Sequence, residues 1–170
     1  MNPQIQDEKF PLIKIVSGGQ TGVDRAALDT ALFLEIEHGG WCPRGRRAED
    51  GRIDSVYQLV ETDEADYAIR TEKNVLDSDG TLIFCQGPVS GGTKLTVKLA
   101  RRHRKPHLII NLAADDAESQ QLDHVVKWIR EQNIQVLNVA GPRESTANGI
   151  GQEVEKFLVN ALRPLLSPAQ

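Results

Sequence analysis

Four short segments rich in Gly, Thr and Arg punctuate this chain, each directly after a brief apolar run. They are Ser17-Gly18-Gly19-Gln20-Thr21-Gly22, Cys42-Pro43-Arg44-Gly45-Arg46-Arg47, Gly87-Pro88-Val89-Ser90-Gly91-Gly92-Thr93 and Ala140-Gly141-Pro142-Arg143-Glu144-Ser145. A strand that stops at glycine and is followed by helix-period sequence is the unit of an open parallel sheet. In such a sheet the loops at the carboxyl ends of the strands gather on one rim, where ligands bind. Glycine lets backbone approach a ligand closely, and a helix N-terminus offers free N–H groups to an anion. Arginines in two of the loops add a planar donor fork for phosphate or carboxylate. The pattern predicts a rim pocket for a phosphorylated small molecule.

The elements between the loops agree with that plan. Residues 12–16 read as a buried strand, and Val23, Ala26, Ala27, Ala31 and Leu34 share one helical face behind it. Gly39-Gly40 breaks the chain before an expected short strand around Trp41. Residues 42–60 carry no clear period, and a loop of that length inside a compact domain is usually functional or mobile. Residues 64–77 read as a helix with Ala65, Ala68, Ile69 and Leu76 on one face, which also receives Glu72. A strand follows at 81–85. Leu95, Val97 and Leu99 alternate as in a strand, yet parallel strands need a crossover of this size, so a helix is expected over 93–104. A strand at 107–112, a helix carrying Leu122, Val125, Val126 and Ile129, and a strand at 135–139 come next. A last helix presents Val154, Phe157, Leu158, Ala161 and Leu162 and ends near Pro164. The expected fold is α/β: a three-layer Rossmann-like sandwich with a mostly parallel sheet of five or more strands and helices on both faces. Residues 10–166 form one expected ligand-binding domain, with loose ends at 1–9 and 167–170.

Composition excludes several classes. The 170 residues carry a net charge of −4 with 39% apolar residues, which disfavours disorder and general attraction to nucleic acid. The run Arg101-Arg102-His103-Arg104-Lys105 is the exception, and it reads as a solvated helix end that complements the helix dipole. Cys42 and Cys85 give no disulfide framework. No apolar run approaches the ~20 residues that cross a membrane, and Met1 to Lys9 lacks a signal-peptide core, so a cytoplasmic location is expected.

The first loop is close to the dinucleotide fingerprint G-x-G-x-x-G, but Ser17 stands at its first glycine, which argues against a full dinucleotide site. Gly19 and Gly22 keep the second and third positions, and Gln20 and Thr21 add donors. Asp24 in the next turn would repel an anion if it pointed inward, with Arg25 as the compensating charge. The third loop spaces Gly87 and Gly92 as a P-loop does, but Thr93-Lys94 inverts the order that brings lysine to the terminal phosphates. An NTPase is therefore rejected, while Ser90, Gly91, Gly92 and Thr93 keep the makings of an anion nest. Arg44 and Arg46 divide between ligand contact and a surface loop paired with Glu49 and Asp50. No metal-ligating spacing and no nucleophile elbow is present.

Taken together these blocks resemble the molybdenum carrier family. The carrying residues are 16–29, 40–51, Tyr67, Arg70-Thr71-Glu72, Asn74-Val75, 77–81, Gly91-Gly92-Thr93 and 137–145, spread over roughly residues 12–160. The resemblance implies a Rossmann-like fold of the wider SLOG superfamily, which includes the Lonely Guy proteins. It implies a carrier of molybdenum cofactor, a phosphorylated pterin dithiolene, with molybdoenzymes or cofactor-synthesis proteins as partners; a homo-oligomer is compatible with it. The ligand role it implies falls on Gly18, Gly19, Gln20, Thr21, Gly22, Gly91, Gly92 and Thr93, and on Arg44, Arg46 and Arg143; the loops themselves add Arg25 and Ser90 as candidates. The alternative is a nucleoside-monophosphate N-glycosidase, as in the Lonely Guy enzymes. Their glutamate, three residues after the loop threonine, is here Thr96, so a hydrolase would need another carboxylate, with Glu72 and Glu144 as candidates.

Overall fold

The computed structural model describes residues 12–116 and 118–166, so the expected loose ends lie outside the described residues. Five strands make one all-parallel sheet: β1 (Lys14–Val16), β2 (Glu37–Gly39), β7 (Gly80–Cys85), β8 (His107–Asn111) and β9 (Val136–Ala140). Their spatial order is β2-β1-β9-β7-β8. The chain therefore winds outward from β1 to β2 on one side and from β7 to β8 on the other, with β9 inserted between the two halves. Helices cover both faces. On one face α1 (Val23–Phe33), α4 (Glu118–Glu131) and α5 (Ile150–Leu162) share a core with Ile15, Leu82, Phe84, Leu137 and Val139. Phe84 and Phe157 meet edge to face there, with ring centroids 5.4 Å apart. On the other face α2 (Tyr67–Leu76) packs on α3 (Gly91–Arg102) through Val75, Leu99 and Ala100. The three-layer α/β architecture expected from the sequence is the one observed.

Two local readings are corrected. A short strand does lie at Trp41, but the second strand of the main sheet is Glu37–Gly39, which ends on the first glycine of the pair. At Gly40 the backbone has φ +123, and an added Cβ would lie 2.3 Å from the Ser17 carbonyl. The chain turns away there, and β3 (Trp41–Cys42) pairs in parallel with β6 (Val60–Glu61), outside the main sheet. Asn74 holds this departure, accepting from the Trp41 N–H at 2.8 Å and donating to its carbonyl at 2.9 Å. The second helix starts at Tyr67, where Asp66 accepts from the Ala68 N–H. Its buried residues are Asn74 and Val75, whereas Leu76 is exposed, because α2 meets α3 along a narrower line than the apolar pattern implies.

The aperiodic stretch 42–60 is ordered by its own polar groups. β4 (Arg47–Ala48) and β5 (Gly51–Arg52) form a small hairpin. Arg46 spreads its guanidinium over the carbonyls of Ile53, Asp54, Tyr57 and Leu59. Ile53, Leu59 and Cys42 pack on Leu28 of α1, and the Tyr57 hydroxyl donates to Asp29 at 2.6 Å. Replacing Arg46 with Ala is expected to lower stability by about 2 kcal/mol, since four carbonyls lose a charged donor. Hydrogen exchange of the 46–60 amides should accelerate with little change in the main sheet; uniform exchange would contradict this role for Arg46. Among the described residues no helix is long and apolar enough to cross a membrane.

Candidate functional site

A cavity of about 340 Å³ opens at the carboxyl rim of the sheet. It lies where the loops after β1, β9 and β7 meet, which is where the winding of the sheet reverses and an α/β sheet leaves its crevice. The loop after β1 contributes Gln20, and the first turn of α1 contributes Asp24. The end of β7 and its loop contribute Cys85, Gln86, Pro88, Val89 and Ser90, and α3 adds Gly91, Gly92, Thr93 and Thr96. Gly141, Pro142 and Arg143 come from the loop after β9, and α2 supplies Tyr67, Arg70 and Thr71.

The rim at α3 is open backbone. Ser90 is the N-cap residue, and its side chain makes no capping bond. Gly91 has φ +52, and a Cβ added at Gly91 or Gly92 would meet no atom within 4 Å. These glycines are not forced by neighbouring protein; the space above them is free. Thr93 is buried beneath, and Thr96 turns its hydroxyl onto the Gly92 carbonyl at 3.1 Å. The N–H groups of the first turn have no helical partners and point outward, an arrangement that attracts anions.

The opposite wall is built around a buried carboxylate. Asp24 is 3% exposed. Its Oδ2 accepts from Arg70 Nη1 at 3.0 Å and from the Gln20 N–H at 3.3 Å. Burial pushes its carboxyl above the ordinary value, while the guanidinium of Arg70 opposes that shift. The Arg70 guanidinium lies against Gly18, where an added Cβ would fall 1.7 Å from its Nη1 and push it from this position. The Gln20 Oε1 accepts from the N–H groups of Thr21 and Glu49 at 3.0 and 2.9 Å, which fixes the amide orientation. Gln20 Nε2 and Arg70 Nε are buried donors with no hydrogen-bond partner among the described residues. The Tyr67 ring has two guanidinium groups near it, Arg70 at 5.7 Å and Arg143 at 5.9 Å from its centroid.

Several residues singled out in the sequence stand behind this cavity rather than along it. Gly19 (φ +75) faces Leu59 and Ile53, and Gly22 (φ +75) faces Pro142 and Glu144. The Thr21 hydroxyl donates to Glu49 and accepts from the Glu144 N–H. Glu49 also takes the Ser145 hydroxyl and N–H, with Arg143 Nη1 at 4.0 Å. The hydroxyls of Ser145 and Thr21 hold its carboxyl below the ordinary range. Arg25 binds the Gly19 carbonyl and Asp50, while Arg44 reaches the Asp63 carbonyl at 3.5 Å. Glu72 pairs with His103 at 2.6 Å, joining α2 to α3. Glu144 accepts from the N–H groups of Gly149 and Gly151 at the start of α5. Of the predicted ligand residues, the cavity gathers Gln20, Ser90, Gly91, Gly92, Thr93 and Arg143, and Gly18 makes room for Arg70.

The sequence pattern does not point to Asp24 as the floor of the cavity, to Arg70 as its partner or to Tyr67 as a wall. The one signal it carries is Asp24 itself: a carboxylate in the first turn of a helix that follows a buried strand needs a cation, and Arg70 is the one that reaches it.

The chain matches the model of the circularly permutated YpsA SLOG family over residues 15–162. Its structure is similar to a crystal structure of the "Putative molybdenum carrier protein" from Syntrophus aciditrophicus SB, with a TM-score of 0.82 and 46% sequence identity. That match covers 92% of this chain and 97% of the other. No curated protein matches the sequence.

Proposed function

The chain belongs to the circularly permutated YpsA SLOG family, and on that footing we propose that it binds and carries a phosphorylated small molecule in the rim cavity. The observation that carries this reading is the uncapped first turn of α3, which faces free space over Gly91 and Gly92. A phosphate seated there would accept from the N–H groups of Gly91, Gly92 and Thr93, with Arg143 at the cavity edge. The ligand class is a phosphorylated pterin or nucleotide. The Syntrophus aciditrophicus protein is named a molybdenum carrier, and with a phosphate site this supports molybdenum cofactor as the cargo we propose. The two cysteines are free thiols, in keeping with a cytoplasmic site of action.

Carrying is better supported than hydrolysis. Glu72 is engaged by His103, and Glu144 caps α5. Thr96 occupies the place of the Lonely Guy glutamate, and its hydroxyl is bound to the helix backbone. Asp24 is the carboxylate that lines the cavity, and Arg70 and the Gln20 N–H hold it in place.

A saturating phosphorylated ligand should stabilise the protein by about 2.7 kcal/mol at a hundredfold excess over Kd. Thermal shift with nucleoside monophosphates and pterin phosphates reads this directly, and the reading falls if none produces a shift. Gly92→Ala separates binding from folding. Its Cβ meets nothing in the protein, and alanine suits a helix better than glycine, so stability should stay level or rise by up to ~1 kcal/mol. The methyl group would stand in the phosphate's space, so ligand affinity should fall about tenfold or more. An unchanged affinity would place the phosphate elsewhere.

A further inference from the structure

The cavity has two polar ends. β9 separates β1 from β7, so the loop after β1 and the first turn of α3 stand about two strand spacings apart, or ~10 Å. At the end beside β1, two buried donors stand without partners among the described residues: Gln20 Nε2, on a side chain 5% exposed at the cavity wall, and Arg70 Nε. The two residues meet at one Asp24 oxygen, which accepts from the Gln20 backbone N–H and from Arg70 Nη1. Two buried donors left unsatisfied are a standing cost, and the group that removes it must be an acceptor.

Resting on the phosphate reading above, we propose that the Gln20–Arg70 wall is a second subsite for a ring carbonyl. The cavity would then select phosphorylated oxo-heterocycles over their amino counterparts. A carbonyl oxygen carries two lone pairs and can satisfy both donors, whereas a ring nitrogen carries one and an amino group presents another donor. A neutral acceptor suits the wall better than a second anion, because Asp24 already balances the charge of Arg70. Tyr67 lines the cavity beside Arg70, and Val89 and Leu95 line its apolar part.

The test measures Kd for inosine monophosphate, neopterin monophosphate, adenosine monophosphate and ribose phosphate on the full chain. At least one of the two oxo ligands should bind about tenfold or more tightly than adenosine monophosphate, the cost of setting an amino group against buried donors. Gln20→Glu keeps the oxygen that accepts from Thr21 and Glu49 but removes the free donor, so the oxo-to-amino ratio should collapse or invert. Ribose phosphate reports on added negative charge alone and corrects for it. Arg70→Lys, which keeps a cation beside Asp24 but loses Nε, should shrink the same ratio and serves if Gln20→Glu does not fold. Equal binding of oxo and amino ligands, or a ratio unchanged in the variant that folds, overturns the carbonyl subsite and leaves the phosphate reading standing. Failure of all four ligands, ribose phosphate included, overturns both.

Discussion

Arg70→Ala should lower stability by about 3–5 kcal/mol at neutral pH, with the loss growing as pH rises. The reason is the company Arg70 keeps. Asp24 and Arg70 side chains are 4% and 13% exposed and 3.0 Å apart, so removing the guanidinium strands a carboxylate out of water. The protein can escape only by protonating Asp24. Burial already holds that carboxyl above its unfolded value, with Arg70 as the largest opposing influence. A raised folded-state pKa contributes stability that is present below the unfolded value and lost as pH rises through the folded one. Without Arg70 the folded value moves higher still, so the window of loss moves toward neutrality. Urea unfolding at about pH 5 and about pH 8 should show the deficit of the variant against the parent widening between the two. A deficit below ~1 kcal/mol, or one flat with pH, would mean that Asp24 is not a buried ion held by Arg70.

Gly22→Ala is the second large effect, at least about 3 kcal/mol of lost stability. Gly22 has φ 75 and ψ −127, a conformation closed to alanine without strain. Its added Cβ would lie 2.5 Å from the Pro142 carbonyl oxygen and 2.8 Å from the Glu144 nitrogen, both backbone atoms that cannot swing aside. This is where the first and fourth glycine loops touch, clamped further by Thr21, Glu49 and Ser145. Chemical denaturation measures the loss; a variant within ~1 kcal/mol of the parent would contradict so close a loop contact. The contrast with Gly92→Ala matters, because similar-looking glycine loops then divide into one made for packing and one made for access.

That division explains how much of the molecule was legible in its residues. The strand–loop–helix cycle was readable because most elements carry their own period and four of the five sheet strands run into a glycine, β8 being the exception. The placement of the fourth loop beside the first could not be read, since it depends on β9 entering the sheet between β1 and β7. Strand order is a long-range property with no local signature. The same holds within the cavity: Arg25 was the near neighbour of Asp24 in sequence, but α2 delivers Arg70 from 46 residues away. Arg46 shows the converse error of scale. Arginines flanking a glycine left ligand contact and a surface loop equally open, and the four carbonyl partners of Arg46 all lie within thirteen residues of it, where they fold that loop.

The position of β9 also bears on how the protein is made. It is the last of the five sheet strands to be synthesised, yet it occupies the middle place. A nascent chain that has left the ribosome only through β8 holds two half-sheets, β1-β2 and β7-β8, with nothing between them and their apolar faces uncovered. Neither half can close the crevice, because its floor strand and the loop bearing Arg143 do not yet exist. Completion of the sheet therefore waits on one late insertion between distant partners, the kind of step that is slow and exposed to misassembly. Cargo loading follows the same clock, so a chain truncated before β9 would have no crevice in which to receive a ligand.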